Sequence, residues 1–217
     1  MKIQSVFYKV FKKIISSFCH LFEFAITLLK FWLNGIKIPS KLKANGIPII
    51  NINLKGKISI GSKFILNSGL YNNVIGRQQP SYLIVGKDAE LTIGDNVGIS
   101  SSAIICQKKI VIGNNVRIGG GVVVYDTDFH SLNVQERVSI PEITKNINTS
   151  PVEIKDGVFI GAHSIILKGV TIGTNSIIGA GSVVAKSIPE NEIWAGNPAK
   201  FIKRISSVYS ETNGTTR

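Results

Sequence analysis

From Ile154 the chain reads IKDGVF IGAHSI ILKGVT IGTNSI IGAGSV VAKSIP, blocks of six in unbroken phase. An aliphatic residue opens each block: Ile154, Ile160, Ile166, Ile172, Ile178 and Val184. Four positions later stands a small or β-branched residue: Val158, Ser164, Val170, Ser176 and Ser182. Glycine often follows the aliphatic (Gly161, Gly173, Gly179), and turn-formers such as Thr174-Asn175 fill the gap. A period of six is neither the 3.6 of a helix nor the alternation of an ordinary strand. It predicts short flat strands joined by tight turns, three blocks to a triangular coil, with one aliphatic per edge pointing inward. Stacked coils then bury a continuous column of Ile and Val. A β-sandwich would show strands and loops of mixed period, and none is seen here.

The pattern extends upstream. Ile93, Ile99 and Ile105 are six apart, as are Ile112, Ile118 and Val124. One extra residue between Ile105 and Ile112 reads as a bulge. Gly94-Asp95-Asn96 and Gly113-Asn114-Asn115 supply residues that tolerate positive φ at turns. ISIGSK (58–63) and LIVGKDAELTIG (83–94) read as looser coils. The expected coil domain is 55–205, with a polar tail at 206–217.

Residues 1–34 differ. Ile3, Phe7, Val10, Ile14, Leu21 and Leu28 recur at helical spacing, while Lys9, Lys13, His20, Glu23, Thr27 and Lys30 align on a narrower polar strip. This predicts an amphipathic helix. A secretory signal is disfavoured, because the apolar stretch is long, contains Glu23 and lacks a small-residue cleavage site. A membrane span would bury His20, Glu23 and Lys30 at high cost. A helix lying on an anionic membrane surface fits the stripe and the lysines better; packing on the chain's own domain or a partner subunit is the alternative. Residues 35–54, with Gly35, Pro39, Gly46 and Pro48, read as a linker.

A net charge of +12 over 217 residues suggests an acidic partner, either anionic lipid or a phosphate-rich ligand. Nucleic acid is disfavoured, because aromatics are sparse beyond residue 33 and no basic and aromatic RNA-binding signature appears. Cys19 and Cys106 form neither a CxxC nor a disulfide framework, which points to a reducing compartment.

Between Val124 and Val152 the hexads lapse into DTDFHSLNVQERVSIPEITKNINTS, a polar segment read as a loop extruded from a coil corner, spanning 126–151. His130 lies near its root. A neutral imidazole can act as a general base, taking the proton of a weak oxygen nucleophile as it attacks. The second ring nitrogen needs a partner: Asp128 is the first candidate, with Asp126 and a backbone carbonyl also open. The oxyanion needs a donor, most economically a backbone N–H in Gly119–Gly121. No GxSxG nucleophile motif appears. His163 reads as a surface turn residue and His20 belongs to the helix. A metal enzyme with three converging histidines is disfavoured, because only His130 and His163 lie in the repeats. A nucleotide-sugar transferase is disfavoured as well, because no glycine-rich nucleotidyl motif precedes the repeats.

The hexads, YDTDFHS, GVTIGTNSIIGAGSVVAKSIP and the ending AGNPAKFIKR (195–204) together resemble the hexapeptide-repeat acyltransferases, over roughly 55–205. The sugar O-acetyltransferase type is nearest. The resemblance implies an all-β left-handed parallel β-helix, a homotrimer with sites between neighbouring subunits, and acetyl-CoA as donor with no metal. The acceptor would be a sugar of a capsule, lipopolysaccharide or exopolysaccharide, or its precursor, with N-acetylation of an amino sugar as a variant. A non-catalytic scaffold is the competing reading. The histidine of the motif is the catalytic base, here His130, with Asp128 as its orienter. Small residues at Ala162, Ala180 and Ala185 would leave room for the pantetheine arm. Lys186, Lys200 and Lys203, beside Arg204, would meet the phosphates; Trp194 would either cover the adenine or pack the C-terminal segment. The family often has Thr or Ser where Ala185 stands, and Arg where Lys200 and Lys203 stand. For the acceptor, Ser101, flanked by Ser100 and Ser102, replaces the amide residue of galactoside-type members, and Arg137 could meet an anionic sugar. An enzyme of this kind is expected in the cytoplasm, peripheral on the inner face of the membrane.

Overall fold

A computed structural model gives the structure of residues 3–69, 72, 75 and 79–205. The polar tail at 206–217 lies outside the described residues. Helix α1 spans Ile3–Leu33. Strands then succeed one another three to a turn. The first turn is β1 (Lys43–Asn45), β2 (Ile49–Ile52) and β3 (Lys57–Ile60). The second is β4 (Ile65–Asn67), β5 (Tyr82–Val85) and β6 (Glu90–Ile93). The third is β7 (Gly98–Ser100), β8 (Ala103–Cys106) and β9 (Lys109–Ile112). The fourth is β10 (Arg117–Ile118), β11 (Val123–Tyr125) and β12 (Val152–Ile154). The fifth is β13 (Phe159–Ile160), β14 (Ile165–Ile166) and β15 (Thr171–Ile172). β16 (Ile177–Ile178) and β17 (Val183–Val184) follow, and Ile188 bridges Ile172 to complete that turn. β18 (Glu192–Ala195) and β19 (Lys200–Arg204) close the stack as an antiparallel hairpin.

From β1 to β17 each strand pairs in parallel with the strand three further on, so every third strand falls in one of three sheets. The register is set by the inward residue. Leu66, Ile99, Ile118, Ile160 and Ile178 stack on one edge. Leu83, Ile104, Val124, Ile166 and Val184 stack on the second. Ile93, Ile112, Ile154 and Ile172 stack on the third. All are buried, as are Val158, Ser164, Val170, Ser176 and Ser182. The architecture is mostly strand, in parallel sheets, with one long N-terminal helix.

The turns explain the composition of the hexads. Asn96, Asn115, Asn175 and Asn191 adopt positive φ and bond one another between coils, Asn96 to Asn115 at 2.8 Å and Asn175 to Asn191 at 3.2 Å. The glycine after the aliphatic serves a different need. A Cβ on Gly161 would lie 2.5 Å from the Ala180 amide nitrogen, and one on Gly173 2.4 Å from that of Glu190. Only glycine lets successive corners approach this closely.

Two sequence expectations change. Ile105 faces outward, and Ile104 and Cys106 occupy the buried positions. The corner between Ile99 and Ile104 is one residue short, turned by Ser101 at φ 45°, and the expected extra length follows it, in the corner between Ile104 and Ile112, which is two residues longer than a hexad. Residues 35–54 are not a linker throughout, because β1 and β2 pair with β4 and β5 as the first turn and Ile36 is buried. Their strands carry too few inward aliphatics to show the period.

α1 caps this first turn with its polar strip. Glu23 accepts the Gly46 N–H at 3.0 Å, Thr27 donates to the Gly46 carbonyl at 3.2 Å, and Lys30 donates to the Pro48 carbonyl at 2.8 Å. Within α1 only Thr27 and Phe31 are buried.

Candidate active site

The loop between β11 and β12 is tied at its neck. Thr127 bridges Thr149, the Asp128 N–H donates to Asn148 at 3.0 Å, and the Ser150 N–H to Asp126 at 2.9 Å. The Asp126 carboxylate is buried and accepts the N–H groups of Gln107, Lys108 and Lys109 at 2.7–2.8 Å. It anchors the loop root to the preceding coil and does not reach the imidazole's role. Burial, then the adjacent Asp126 charge, pushes the Cys106 thiol up to about 12. This buried cysteine is inert as a nucleophile.

Past the neck, Phe129 takes φ 63° and turns His130 outward, with its side chain 65% exposed. Its Nδ1 lies 2.9 Å from Glu142 Oε2 and 3.2 Å from Oε1. An ionised carboxylate only accepts, so Nδ1 carries the proton and donates. Nε2 is then the basic nitrogen. The His130 hydrogen bond holds the Glu142 carboxyl below the usual carboxylate range, and the Ser131 N–H and the Arg137 charge act in the same direction.

This corrects the expected orienter. Asp128 instead forms an ion pair with Lys168 at 2.6 Å, and its second oxygen is buried without a partner. Glu142 escaped sequence reading because it lies twelve residues downstream, across a loop with no periodic signal. The available clue was compositional: Glu136 and Glu142 are the only carboxylates between Asp128 and Val152.

The rest of the loop holds this pair in place. α2 (Val134–Arg137) is capped by Asn133, which accepts the Gln135 N–H at 2.9 Å. Glu136 binds the Ser131 hydroxyl and the Asn146 amide. Arg137 spends its guanidinium on the carbonyls of Ser131 at 2.7 Å and Leu132 at 3.3 Å. Arg137 thus fastens the loop, where an acceptor-binding role was expected. Ser101 is also displaced from that role, because it is fully buried in the shortened corner with its hydroxyl unpartnered. Among Gly119–Gly121, the Gly119 and Gly121 amides already donate to Ile160 and Ser101, which leaves Gly120.

The expected donor-site residues fall into two groups, with Lys203 outside both. Gly119 packs under Ala162 and Gly161 under Ala180, so Ala162 and Ala180 share a stack of corners. The Gly181 N–H donates to the Ala162 carbonyl at 2.8 Å within that stack. Ala185, Lys186, Trp194, Pro198, Ala199 and Lys200 line a concavity of about 410 Å³, with Phe201 at its edge. Trp194 meets Phe201 edge-on at 6.2 Å and donates from its indole to Glu192 at 2.8 Å. Lys203 is exposed on β19 outside this lining, and Arg204 pairs with Glu192 at 3.6 Å. Among the described residues no cluster of three metal-ligating side chains occurs.

Known families match both halves of the coil. The bacterial transferase hexapeptide (six repeats) model matches residues 151–186, and the hexapeptide repeat of succinyl-transferase matches 90–126. A Saccharomyces cerevisiae protein named provisionally as acetyltransferase YJL218W is 40% identical over 136 residues, 62% of this chain and 65% of its own length. The chain thus spans just under two thirds of that relative. WbbJ of Escherichia coli K12, named provisionally as a lipopolysaccharide biosynthesis O-acetyl transferase, is 31% identical over 154 residues, 70% of this chain and 74% of its own. The crystal structure of AntD, an N-acyltransferase from Bacillus cereus in complex with dTDP and 3-hydroxybutyryl-CoA, shares the fold. Its TM-score is 0.62 at 24% identity, covering 78% of this chain and 82% of that one. Repeat, coil and the extended match to WbbJ together make the chain a member of the hexapeptide-repeat acyltransferase family.

Proposed function

We propose that this protein transfers an acetyl group from acetyl-CoA to a hydroxyl of a sugar in a surface polysaccharide or its precursor. The observation that carries the reading is the His130–Glu142 pair at 2.9 Å. It leaves an imidazole with Nε2 unprotonated and outward, which direct transfer requires. The sugar oxygen attacks the thioester carbonyl as His130 Nε2 takes its proton. The tetrahedral oxyanion collapses and expels the coenzyme thiolate, and His130 returns the proton to that sulfur. The products are the acetyl ester and free coenzyme A, and no covalent enzyme intermediate is needed.

Lys186 and Lys200 beside the Trp194 concavity suit a phosphate-bearing, adenine-bearing donor. The Ala162–Ala180 corner stack leaves a smooth track for a thin pantetheine arm. The coil is proposed to be left-handed and trimeric, with the exposed His130 covered by a neighbouring subunit. The reaction is proposed to run in the cytoplasm, where acetyl-CoA is supplied. WbbJ, matched over most of its length, supports a surface-glycan acceptor.

The test is thiol release from acetyl-CoA with a panel of hexoses, amino sugars and isolated surface glycans. Acceptor-dependent release should fall about 10²- to 10⁴-fold in a folded His130→Ala variant. No release with any acceptor, together with no coenzyme A binding by calorimetry, would overturn the enzyme reading. Release dependent on an amino group alone would replace O- by N-acetylation.

A further inference from the structure

α1 docks the wrong way round for a helix that packs on its own domain. Its polar strip, through Glu23, Thr27 and Lys30, holds the first coil, and its apolar arc points away. Phe7, Phe18, Leu21, Phe22 and Trp32 are all 61–74% exposed. Apolar side chains cover roughly 200° of the helix at the α-helical period. That is far wider than the narrow seam a coiled-coil partner covers.

We infer that this arc is an interfacial anchor, lying in the surface of an anionic membrane and holding the coil against it. The inference does not depend on the acyl-transfer reading. Charge supports the occupant. Residues 3–22 carry Lys9, Lys12 and Lys13 and no carboxylate, and the whole chain is +12. The three lysines lie on or beside the polar strip, where they reach headgroups while the apolar arc sinks. Length and composition would also allow α1 to cross a bilayer. Its docking argues against that. From Glu23 onward the strip is clamped to the coil, and Glu23 and Lys30 spend their charges there. Ahead of that clamp, the described residues carry Lys9, Lys12 and Lys13 near mid-length, where a span would have to bury them.

The experiment uses the full chain with vesicles of phosphatidylcholine alone or mixed with phosphatidylglycerol, read by flotation. In a Trp194→Phe background, quenching of Trp32 by brominated lipid reports depth. The chain should float with the anionic vesicles, less so as salt rises, with Trp32 quenched from the shallow acyl region. Phe7→Glu with Phe18→Glu should weaken partitioning on the order of a hundredfold. Lys9→Gln, Lys12→Gln and Lys13→Gln together should weaken it on the order of a hundredfold on anionic vesicles only. The thermal melt of the Phe7→Glu, Phe18→Glu chain without lipid should be unchanged, which separates loss of anchoring from loss of fold. Failure to partition into either vesicle would overturn the inference. So would protection of α1 from proteolysis by self-association without lipid, or retention through alkaline extraction with Trp32 at the bilayer centre.

Discussion

The carboxylate of Glu142 decides which nitrogen of His130 is basic, and the pair is built wholly from one loop. Replacing it by glutamine keeps the shape but removes the charge that steadies an imidazolium as the proton is taken. Glu142→Gln should lower kcat by roughly 10- to 10³-fold with little change in the KM for acetyl-CoA. A purely structural role would lower folded yield and leave the kcat of the folded fraction in place. The pH sense of the loop's own stability follows from the same carboxylate. Its pKa is lowered by the His130 bond, so its contribution is fully present above the ordinary glutamate range and is lost as pH falls through the lowered value. Glu136, lowered by its Ser131 bond and then by Asn146, behaves likewise. Protection factors of the loop amides, corrected for the intrinsic pH dependence of exchange, should therefore fall in acid before those of the coil amides do. His130 was legible in sequence as a lone imidazole at the end of a buried strand. Glu142 was not, because its position depends on Ser131, Glu136 and Arg137 folding the loop back on itself, a set of polar contacts without a period.

At the scale of the strand, the repeat was readable because burial is enforced every sixth residue from Ile154 to Val184. It failed where the coil departs from that count. The shortened corner at Ser101 moved Ile104 and Cys106 inward, and β1 and β2 bury too little to announce themselves. Acceptor residues sought at Ser101 and Arg137 were missed for related reasons: one corner is a residue short, and the arginine serves backbone carbonyls. The corner glycines give the sharpest test of the coil. Gly161→Ala would place a methyl 2.5 Å from the Ala180 nitrogen, and backbone cannot rotate aside as a side chain does. It should cost about 1–3 kcal/mol by thermal or denaturant melting, comparable to overpacking a core. Because the neighbouring corner carries Ala162 and Ala180, the same substitution should raise the KM for acetyl-CoA more than a substitution at outward-facing Ile105. Removing an inward aliphatic with Ile172→Ala should cost about 2–5 kcal/mol and leave that KM unchanged in the folded fraction. The two variants thus separate spacing of the corners from filling of the column.

For the whole molecule, the exposed imidazole and the lysine-lined concavity raise the question of whether one chain or two complete a site. The proposed trimer gives a countable answer. Let one variant lack the base, His130→Ala, and the other lack the donor charges, Lys186→Gln with Lys200→Gln. Each alone should be nearly inactive. If His130 faces the concavity of the next subunit, a ring containing both variants has one junction at which an intact base meets intact lysines. Random reassembly of equal amounts makes about three quarters of rings mixed, each with one competent junction in three. Unfolding and refolding the mixture should therefore restore about a quarter of the wild-type rate, and mixing without refolding should restore none. If both halves of the site belong to one chain, no mixing ratio recovers activity. The ratio series adds a second check, because activity recovered across a shared junction peaks at equal amounts and falls symmetrically on either side. A trimer whose members also carry α1 on the same end of each coil would present three apolar arcs together, which multiplies attachment to a surface without strengthening any one helix.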